Sequence, residues 1–470
     1  MSKQNIIIGA HMLETITRGM YDDSRTIFRE YIQNSCDAVD AAVNAGVLSE
    51  NEGRIDIDLD YDSRKITITD NGIGISAKDF RRVMGNIADS DKRHSENRGF
   101  RGIGRLCGLA YCGTVRFTAK FRGERVISRL VCEAGTLHEL LNERDSGINR
   151  YTAAEVLEMI NEFSSENTDD IDSHYFIVEL EDINAENDNL LDYMDIKTYL
   201  SMTAPLPYFM FDTMSPKIYE HAEELGLKID EYDIALNGDQ LFKPYTTKYT
   251  TKNGEDEVFD LEFRDIRDNE GRLLAWLWFG VSCFRARISK EYLMRGIRLR
   301  KGNIQIGDES TLQRFFTEER GNMYFIGEVF CVSDGLIPNS RRDYFNDCPE
   351  CAEFESAMRI IAEELKRLYN AGSDLNNAYK RTRQAEDRET ELRYKVVKGY
   401  FADDTDRTQT ETELAQTQDT ITKSTDKFER CASKSELIGK IAARIKQKHD
   451  TYIYRGGGGQ RSRCRLFVRS

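Results

Sequence analysis

Apolar and polar positions along the first two hundred residues alternate in a way that predicts helices packed on a sheet. Residues 23–45 carry apolar side chains at helical spacing and contain no proline. Residues 54–60 (RIDIDLD) and 65–70 (KITITD) alternate apolar and polar, and the short turn between them predicts a hairpin. Further strands are predicted at 114–121, 124–133 and 174–183. The pattern predicts an α/β domain over residues 1–205.

A second α/β region is predicted over residues 206–350. Its strand candidates are the apolar runs 273–288 and 322–333. The basic run 295–303 (RGIRLRKGN) lies between them, and we interpret it as a solvated strand edge that could contact phosphate or nucleic acid.

The last part of the chain has a different pattern, which predicts helices. Residues 351–400 are rich in Glu, Arg, Lys and Ala and predict a helical or coiled-coil arm. Residues 401–470 predict a polar linker or poorly packed helix, a short amphipathic helix and a flexible basic tail. The arm carries an apolar stripe at helical spacing, formed by Met358, Ile361, Leu365 and Leu368.

Charge and composition narrow the function classes. The 66 Lys and Arg against 81 Asp and Glu give a formal charge of −15, so a dedicated nucleic-acid binder, which should be basic, is disfavoured. No apolar run approaches the roughly 20 residues of a membrane helix, and we expect no membrane partner. The ten cysteines are scattered, which favours reduced thiols in a cytoplasmic protein. Cys348 and Cys351 form a CPEC pair, but zinc is disfavoured because no second pair follows at suitable spacing.

The first motif is a polar stripe on the helix REYIQNSCDAVDAA, residues 29–42. Glu30 and Asn34 lie one turn apart on one face, and Asp37 extends the stripe. An Asn oxygen is a suitable ligand for Mg²⁺, and a nearby Glu can orient or deprotonate a water. Taken alone, the stripe is better explained as a solvated charged face.

The second motif is ITDNGIGIS, residues 68–76, at the end of a predicted strand. Asp70 can accept a hydrogen bond from an exocyclic amine, and Gly72 and Gly74, with Ile75 beside them, allow a ligand to approach the backbone. A plain turn explains the same residues equally well.

The third motif is GFRGIGRLCG, residues 99–108. Gly99, Gly102 and Gly104 precede an apolar helical run, and N–H groups exposed there favour phosphate. A P-loop is disfavoured because no Lys-Ser/Thr pair follows, and a Rossmann fingerprint is disfavoured because the preceding segment is polar.

Together and in this order, the three motifs resemble the N-box and the two glycine boxes of the GHKL ATPase superfamily. Within it, the sequence most resembles the ninety-kilodalton heat-shock chaperones, closely over 1–205 and more loosely over 206–350. The resemblance implies a GHKL (Bergerat) α/β sandwich that binds ATP and Mg²⁺, with a lid over 76–104. It implies Glu30 as general base, Asn34 as the Mg²⁺ ligand and Asp70 as the adenine contact. The remaining nucleotide contacts would come from Asp37, Gly72, Gly74, Ile75, Gly99, Gly102 and Gly104.

The resemblance also implies that the second domain completes the site. The segment 327–345 resembles the chaperone stretch whose arginine reaches the ATP γ-phosphate, which points to Arg342, with Arg341 one residue away. Lys301 is a further candidate, because related ATPases send a lysine from their second domain. Two departures are His174, where a threonine is usual, and Val83, where an asparagine is usual. Residues 352–470 do not resemble the chaperone dimerisation domain, and we predict a homodimer held by the helical arm.

Two function classes remain open from the sequence. The first is a chaperone-like, ATP-driven clamp or remodelling ATPase whose client protein the sequence does not name. The second is an ATPase switch in a nucleic-acid-linked or anti-phage defence system, with nucleic acid as a partner. The acidic charge favours the first, and an intact Glu30 argues against a scaffold that binds ATP without turnover.

Overall fold

A computed structural model describes residues 8–17, 23–86, 104–142, 151–209, 211 and 213–456. The first sheet has eight strands, in the order β5-β4-β3-β6-β2-β1-β7-β8. Its neighbours are antiparallel except β1 and β7, which are parallel. Its strands are β1 (Arg54–Asp60), β2 (Lys65–Asp70), β3 (Cys112–Lys120), β4 (Val126–Glu133), β5 (Asn161–Asn167), β6 (Tyr175–Ile183), β7 (Asp233–Leu236) and β8 (Asp239–Gln240).

Helices cover one face of this sheet, and charged side chains cover the other. The helices of this region are α1 (His11–Thr17), α2 (Thr26–Asn44), α3 (Ala77–Gly85), α4 (Ala134–Asn142), α5 (Ala153–Ile160) and α6 (Tyr193–Thr203). In β1 the inward residues Ile55, Ile57 and Leu59 are buried and share a core with α2. On the opposite face Lys65 pairs with Glu179. This two-layer arrangement is the predicted α/β sandwich.

The hairpin predicted around the turn YDSR is confirmed, with Ile57 opposite Ile68 in the register of β1 and β2. The predicted strands at 114–121, 124–133 and 174–183 correspond to β3, β4 and β6. Strand β5 was missed, because its sequence NEFSSEN is mostly polar and exposed. The sheet also takes in β7 and β8, which lie beyond residue 205, so the boundary drawn there stays a prediction.

The second region contains a five-stranded sheet and a two-stranded one. The larger sheet has the order β11-β12-β15-β13-β14, in which β13 and β15 are parallel. Its strands are β11 (Asp260–Arg267), β12 (Leu273–Val281), β13 (Gly296–Lys301), β14 (Ile304–Ile306) and β15 (Ile326–Cys331). The smaller sheet pairs β9 (Lys248–Thr251) with β10 (Gly254–Glu257). This region also contains helix α7 (Ser215–Glu224). The interpretation of 295–303 as a solvated strand edge is wrong. Strand β13 lies inside the sheet, where Arg300 is fully buried against Glu328.

Three helices complete the described chain. They are α8 (Pro349–Lys398), α9 (Asp404–Ala432) and α10 (Glu436–Gly456). Residues 404–432, for which the sequence left a linker or a helix open, are helical and lie along α8. Helix α8 begins at Pro349, a residue type favoured in the first turn of a helix, and Cys348 is its N-cap. No helix among the described residues has the length and hydropathy needed to cross a membrane.

The apolar stripe of α8 is covered within the chain. Met358, Ile361, Leu365 and Leu368 are all buried, in the same core as Leu277 and Phe279 of β12. The α8 stripe therefore does not indicate a homodimer, because the second sheet takes the place expected of a partner helix. The fold class itself is confirmed: an α/β sandwich, a second α/β region and a long C-terminal helical region.

Candidate active site

The polar stripe of α2 lies where the first and second regions of the chain meet. Glu30 and Asp37 are buried, and Asn34 is half-buried. The opposite side of the helix packs Phe28, Ile32 and other apolar residues into the core of the sheet. Among the described residues the Asn34 side chain has no hydrogen-bond partner, so its amide is available to a ligand.

Two arginines surround the Glu30 carboxylate. The Nε of Arg342 lies 3.0 Å from Oε1 of Glu30, and the Nε of Arg29 lies 3.7 Å from the same oxygen. Neither contact has hydrogen-bond geometry, and Glu30 Oε1 is buried without a hydrogen-bond partner. The charge of Glu30 is thus balanced by two arginines, but its Oε1 is not saturated by hydrogen bonds.

Arg342 reaches Glu30 from a constrained loop of the second region. Its backbone has φ +55°, in the left-handed region that costs about 1–2 kcal/mol for a residue with a side chain. The loop backbone is fixed to the second sheet by a hydrogen bond from the Gly307 N–H to the Arg342 carbonyl, 2.8 Å long. Arg29 also donates to the carbonyl of Arg341, at 3.2 Å. The arginine is therefore delivered by backbone contacts on both sides.

The other two cations proposed from sequence are placed differently. Arg341 meets α2 through its backbone carbonyl. Lys301 donates to the carbonyl of Ser333 at 2.6 Å and lines a cavity of about 340 Å³ between α2 and the second sheet. Burial lowers the pKa of Lys301. Among the three, Arg342 is the one placed against the Glu30 carboxylate.

Asp70 ends β2 as predicted and is almost fully buried. Its Oδ1 accepts a hydrogen bond of 3.0 Å from the Gly72 N–H. Burial raises the pKa of Asp70 to about 7, although hydrogen bonds from Ser35 and Gly72 oppose the shift. A buried carboxyl group that accepts so few hydrogen bonds from the protein is suited to accept one from an amine of a ligand.

The residue that replaces the usual threonine lies close to Asp70. The Nδ1 of His174 lies 2.8 Å from the carbonyl oxygen of Gly72, next to the Asp70 turn. His174 thus supports the glycine box through the backbone. Ile75 is half-buried against the core of the first sheet.

Close contacts require glycine at positions 72 and 74, and the third described glycine, Gly104, faces Glu30. A Cβ on Gly72 would lie 2.6 Å from the Cβ of Ala38 on α2. Gly74 has φ +68°, and a Cβ there would lie 2.0 Å from the carbonyl oxygen of Lys120. A Cβ on Gly104 would lie 2.7 Å from Oε2 of Glu30. The second glycine box thus touches the carboxylate of the first motif.

Parts of the predicted site lie outside the described residues. These are Gly99 and Gly102, together with most of the lid predicted over 76–104. Where the predicted lid ends, Tyr31 connects the 3₁₀ helix Gly104–Ala110 to α2. The Tyr31 hydroxyl donates to the Arg105 carbonyl at 3.1 Å and accepts from the Gly108 N–H at 3.2 Å.

Sequence reasoning missed three participants on α2. Arg29 contacts both Glu30 and the second region, Tyr31 fixes the glycine box, and Gln33 is buried with both amide atoms unpartnered. Arg29 precedes Glu30 within the motif that carried the resemblance, so it could have been proposed. The roles of Tyr31 and Gln33 depend on distant segments, and no local pattern reveals them.

Comparison with known proteins agrees with this geometry. Residues 23–168 match a family model described as histidine kinase-, DNA gyrase B- and HSP90-like ATPase. The chain therefore contains a GHKL-type ATPase domain, which includes α2, β2 and the described part of the glycine boxes.

The particular relatives are chaperone proteins HtpG. The chain is 32% identical over 133 residues to HtpG of Psychrobacter arcticus, covering 24% of this chain and 20% of the relative. It is 39% identical over 88 residues to HtpG of Coxiella burnetii, covering 17% and 14%. The similarity to the heat-shock chaperones is thereby confirmed, and the chain spans a fifth or less of the length of these relatives.

Proposed function

We propose that this protein is a chaperone-like ATPase that hydrolyses ATP to ADP and phosphate to drive a conformational change. The proposal is carried by one observation: Arg342 of the second region and Gly104 of the glycine box both lie against the carboxylate of Glu30. Residues far apart in sequence thus converge on one acidic group, at the point where a nucleotide's terminal phosphate would lie.

The donor set fits ATP and Mg²⁺. Asn34 offers an unpartnered amide, and Asp70 offers a buried carboxyl at the end of β2. Asp37 lies on the same stripe of α2, and the contacts of Gly72 and Gly74 leave no room for side chains. Mg²⁺, when bound, would neutralise phosphate charge, and Asn34 would hold it.

In the proposed reaction Glu30 takes a proton from a water as the water oxygen attacks the γ-phosphorus. The bond from the γ-phosphorus to the bridging oxygen breaks, and ADP leaves with that oxygen. Arg342, which pairs with Glu30 in this structure, would be drawn towards the phosphate charge. That exchange frees Glu30 to act as a base and links the second region to the state of the nucleotide.

The first test is nucleotide binding. Asp70→Asn would present a donor to the adenine amine, so ATP affinity should fall by about 2–4 kcal/mol. Calorimetry on the two proteins measures this, with GTP as the comparison nucleotide. Equal ATP affinity would show that Asp70 does not read the base.

The second test is turnover and its coupling. Phosphate release should require Mg²⁺ and stop when the metal is chelated, and a non-hydrolysable ATP analogue should change the small-angle scattering profile. No phosphate release with Mg²⁺ would contradict the proposal. Salt-dependent DNA or RNA binding would instead support the nucleic-acid-linked or defence switch.

A homodimer in the ATP-bound state also remains a proposal. Its support is now the resemblance to the heat-shock chaperones alone, since the α8 stripe is buried within the chain. Light scattering with a non-hydrolysable ATP analogue tests it, and a chain that stays monomeric would contradict it.

A further inference from the structure

Two cysteines stand at the start of α8, directly after the loop that carries Arg342. Cys348 is the N-cap of the helix and Cys351 lies in its first turn. The Cys348 sulfur accepts a hydrogen bond of 3.3 Å from the Cys351 N–H, so it lies against the helical turn that carries Cys351. Among the described cysteines Cys348 is half-buried, whereas the others are buried. No group of metal-ligating side chains suited to a metal ion occurs among the described residues.

The Cys348 thiol also closes the loop of residues 333–346, which we call the Arg342 loop. Its S–H donates to the carbonyl oxygen of Gly335 at 3.3 Å, which joins the end of the loop to its beginning. A Cβ on Gly335 would lie 2.7 Å from the side chain of Glu350, so the loop stem already packs against the first turn of α8. Inside the loop, Asn346 donates to Ile337 and Asn339 to Tyr344 through the backbone, both at 2.9 Å.

We propose that Cys348 and Cys351 form a reversible disulfide that loosens the Arg342 loop and withdraws Arg342 from Glu30. The consequence for turnover rests on the proposed ATPase function, whereas disulfide formation does not. The co-reactant is a low-molecular-mass disulfide. The Cys348 sulfur attacks one of its sulfur atoms and releases one thiol, and Cys351 then attacks Cys348 and releases the second. Two protein thiols are oxidised, and one disulfide bond of the co-reactant is reduced to two thiols.

The order of these steps follows from exposure and charge. Cys348 is partly exposed, so a co-reactant can reach it, whereas Cys351 is buried in the same core as Phe345 and Phe354. Burial, together with Glu355 and Cys348, raises the pKa of Cys351 to about 11, which suits a resolving thiol more than an attacking one. Oxidation removes the S–H donated to Gly335, so the loop loses one of the bonds that join its beginning to its end.

The experiment treats the full chain with oxidised glutathione, then alkylates free thiols and maps the peptides by mass spectrometry. Wild type should give an intrachain Cys348–Cys351 disulfide, and Cys351→Ser should retain glutathione on Cys348. Cys348→Ser keeps both the cap and a hydroxyl donor for Gly335, so it should fold and leave Cys351 reduced. Cys431→Ser, at a buried site in α9, is the matched control and should oxidise like wild type.

Amide exchange and turnover are measured on the same samples. Oxidation should speed exchange over residues 333–346 about fivefold, the usual effect of losing one hydrogen bond. It should lower ATP turnover reversibly in wild type but not in Cys348→Ser. Failure of the disulfide to form, or its formation without faster exchange in this loop, would overturn the inference. If the reduced protein hydrolyses no ATP, the proposed function fails. Amide exchange then still tests whether the disulfide loosens the Arg342 loop.

Discussion

Two buried glutamates, one in each region of the chain, are treated very differently by their surroundings. Glu328 on β15 is fully buried and bonded to Arg300, Lys243 and Tyr208. Glu30 on α2 is nearly as buried, yet its Oε1 has only ion-pair contacts and no hydrogen bond. The Glu328 carboxylate is thus saturated with hydrogen bonds, whereas the Glu30 carboxylate is not.

Electrostatics explains the difference in role. Burial alone would raise the pKa of Glu328, but Arg300 and Lys243 outweigh it, so the pKa lies below its ordinary value. Burial, followed by the charge of Arg300, lowers the pKa of Lys243. Such a closed network holds the second region rigid around the strands that support Arg342. Glu30 belongs to no such network, because its Oε1 accepts no hydrogen bond.

Removing Glu328 should have the largest effect on stability. Glu328→Ala leaves Lys243 and Arg300 buried without a counter-charge, which should lower the free energy of unfolding by about 3–5 kcal/mol. Glu179→Ala is the control, since it breaks a partly exposed pair with Lys65 and should cost about 1 kcal/mol or less. Urea denaturation measures both, and equal losses would show that the network is not what stabilises this region.

The pH dependence of stability should show the titration of Asp70. Its pKa is about 7 in the folded protein, above the ordinary value of 3.8. Between those values the unfolded chain releases the proton while the folded protein keeps it. Its contribution to stability should therefore be present below pH 4 and be lost as pH rises to about 7, by up to about 4 kcal/mol. Denaturation of wild type and Asp70→Asn at pH 5, 6 and 8 tests this, and parallel profiles would contradict it.

Arg342 allows catalysis and backbone strain to be separated. Arg342→Ala and Arg342→Gly should each lower turnover by roughly 10²-fold, the scale of one positioned charged donor. Because φ is +55°, the Gly variant should be more stable than the Ala variant by about 1–2 kcal/mol. Phosphate release and thermal unfolding measure the two effects. Turnover that recovers with glycine would show that the loop backbone matters and the guanidinium does not.

The comparison also shows what could be predicted from the sequence. The positions of Glu30 and Asn34 on one face of α2, and of Asp70 at the end of β2, could be predicted from the sequence. Each of these motifs is local, so residue spacing alone determines where its side chains lie. The buried charges of β13 could not be found this way. Arg300 looks like a solvated residue until Glu328, from a strand later in the chain, supplies its counter-charge.

Long-range packing explains the other differences. The α8 stripe predicted an exposed arm, but the second sheet covers it, and sequence spacing cannot say which partner buries a helix face. Strand β5 escaped prediction because it is an edge strand with mostly exposed side chains. The approach of Arg342 was indicated by resemblance alone, since its loop is positioned by Gly307 and Arg29.

The most direct test of the account compares Glu30→Gln with Asp40→Asn. Both changes remove one charge from α2, but Asp40 lies ten residues beyond Glu30 on the helix and accepts a hydrogen bond of 2.7 Å from Tyr232. ATP affinity by calorimetry and phosphate release should be measured on the same preparations. Glu30→Gln should bind ATP much as wild type does and lose turnover by about 10²-fold or more, whereas Asp40→Asn should retain it. Wild-type turnover in Glu30→Gln would contradict the assignment of Glu30 as the general base.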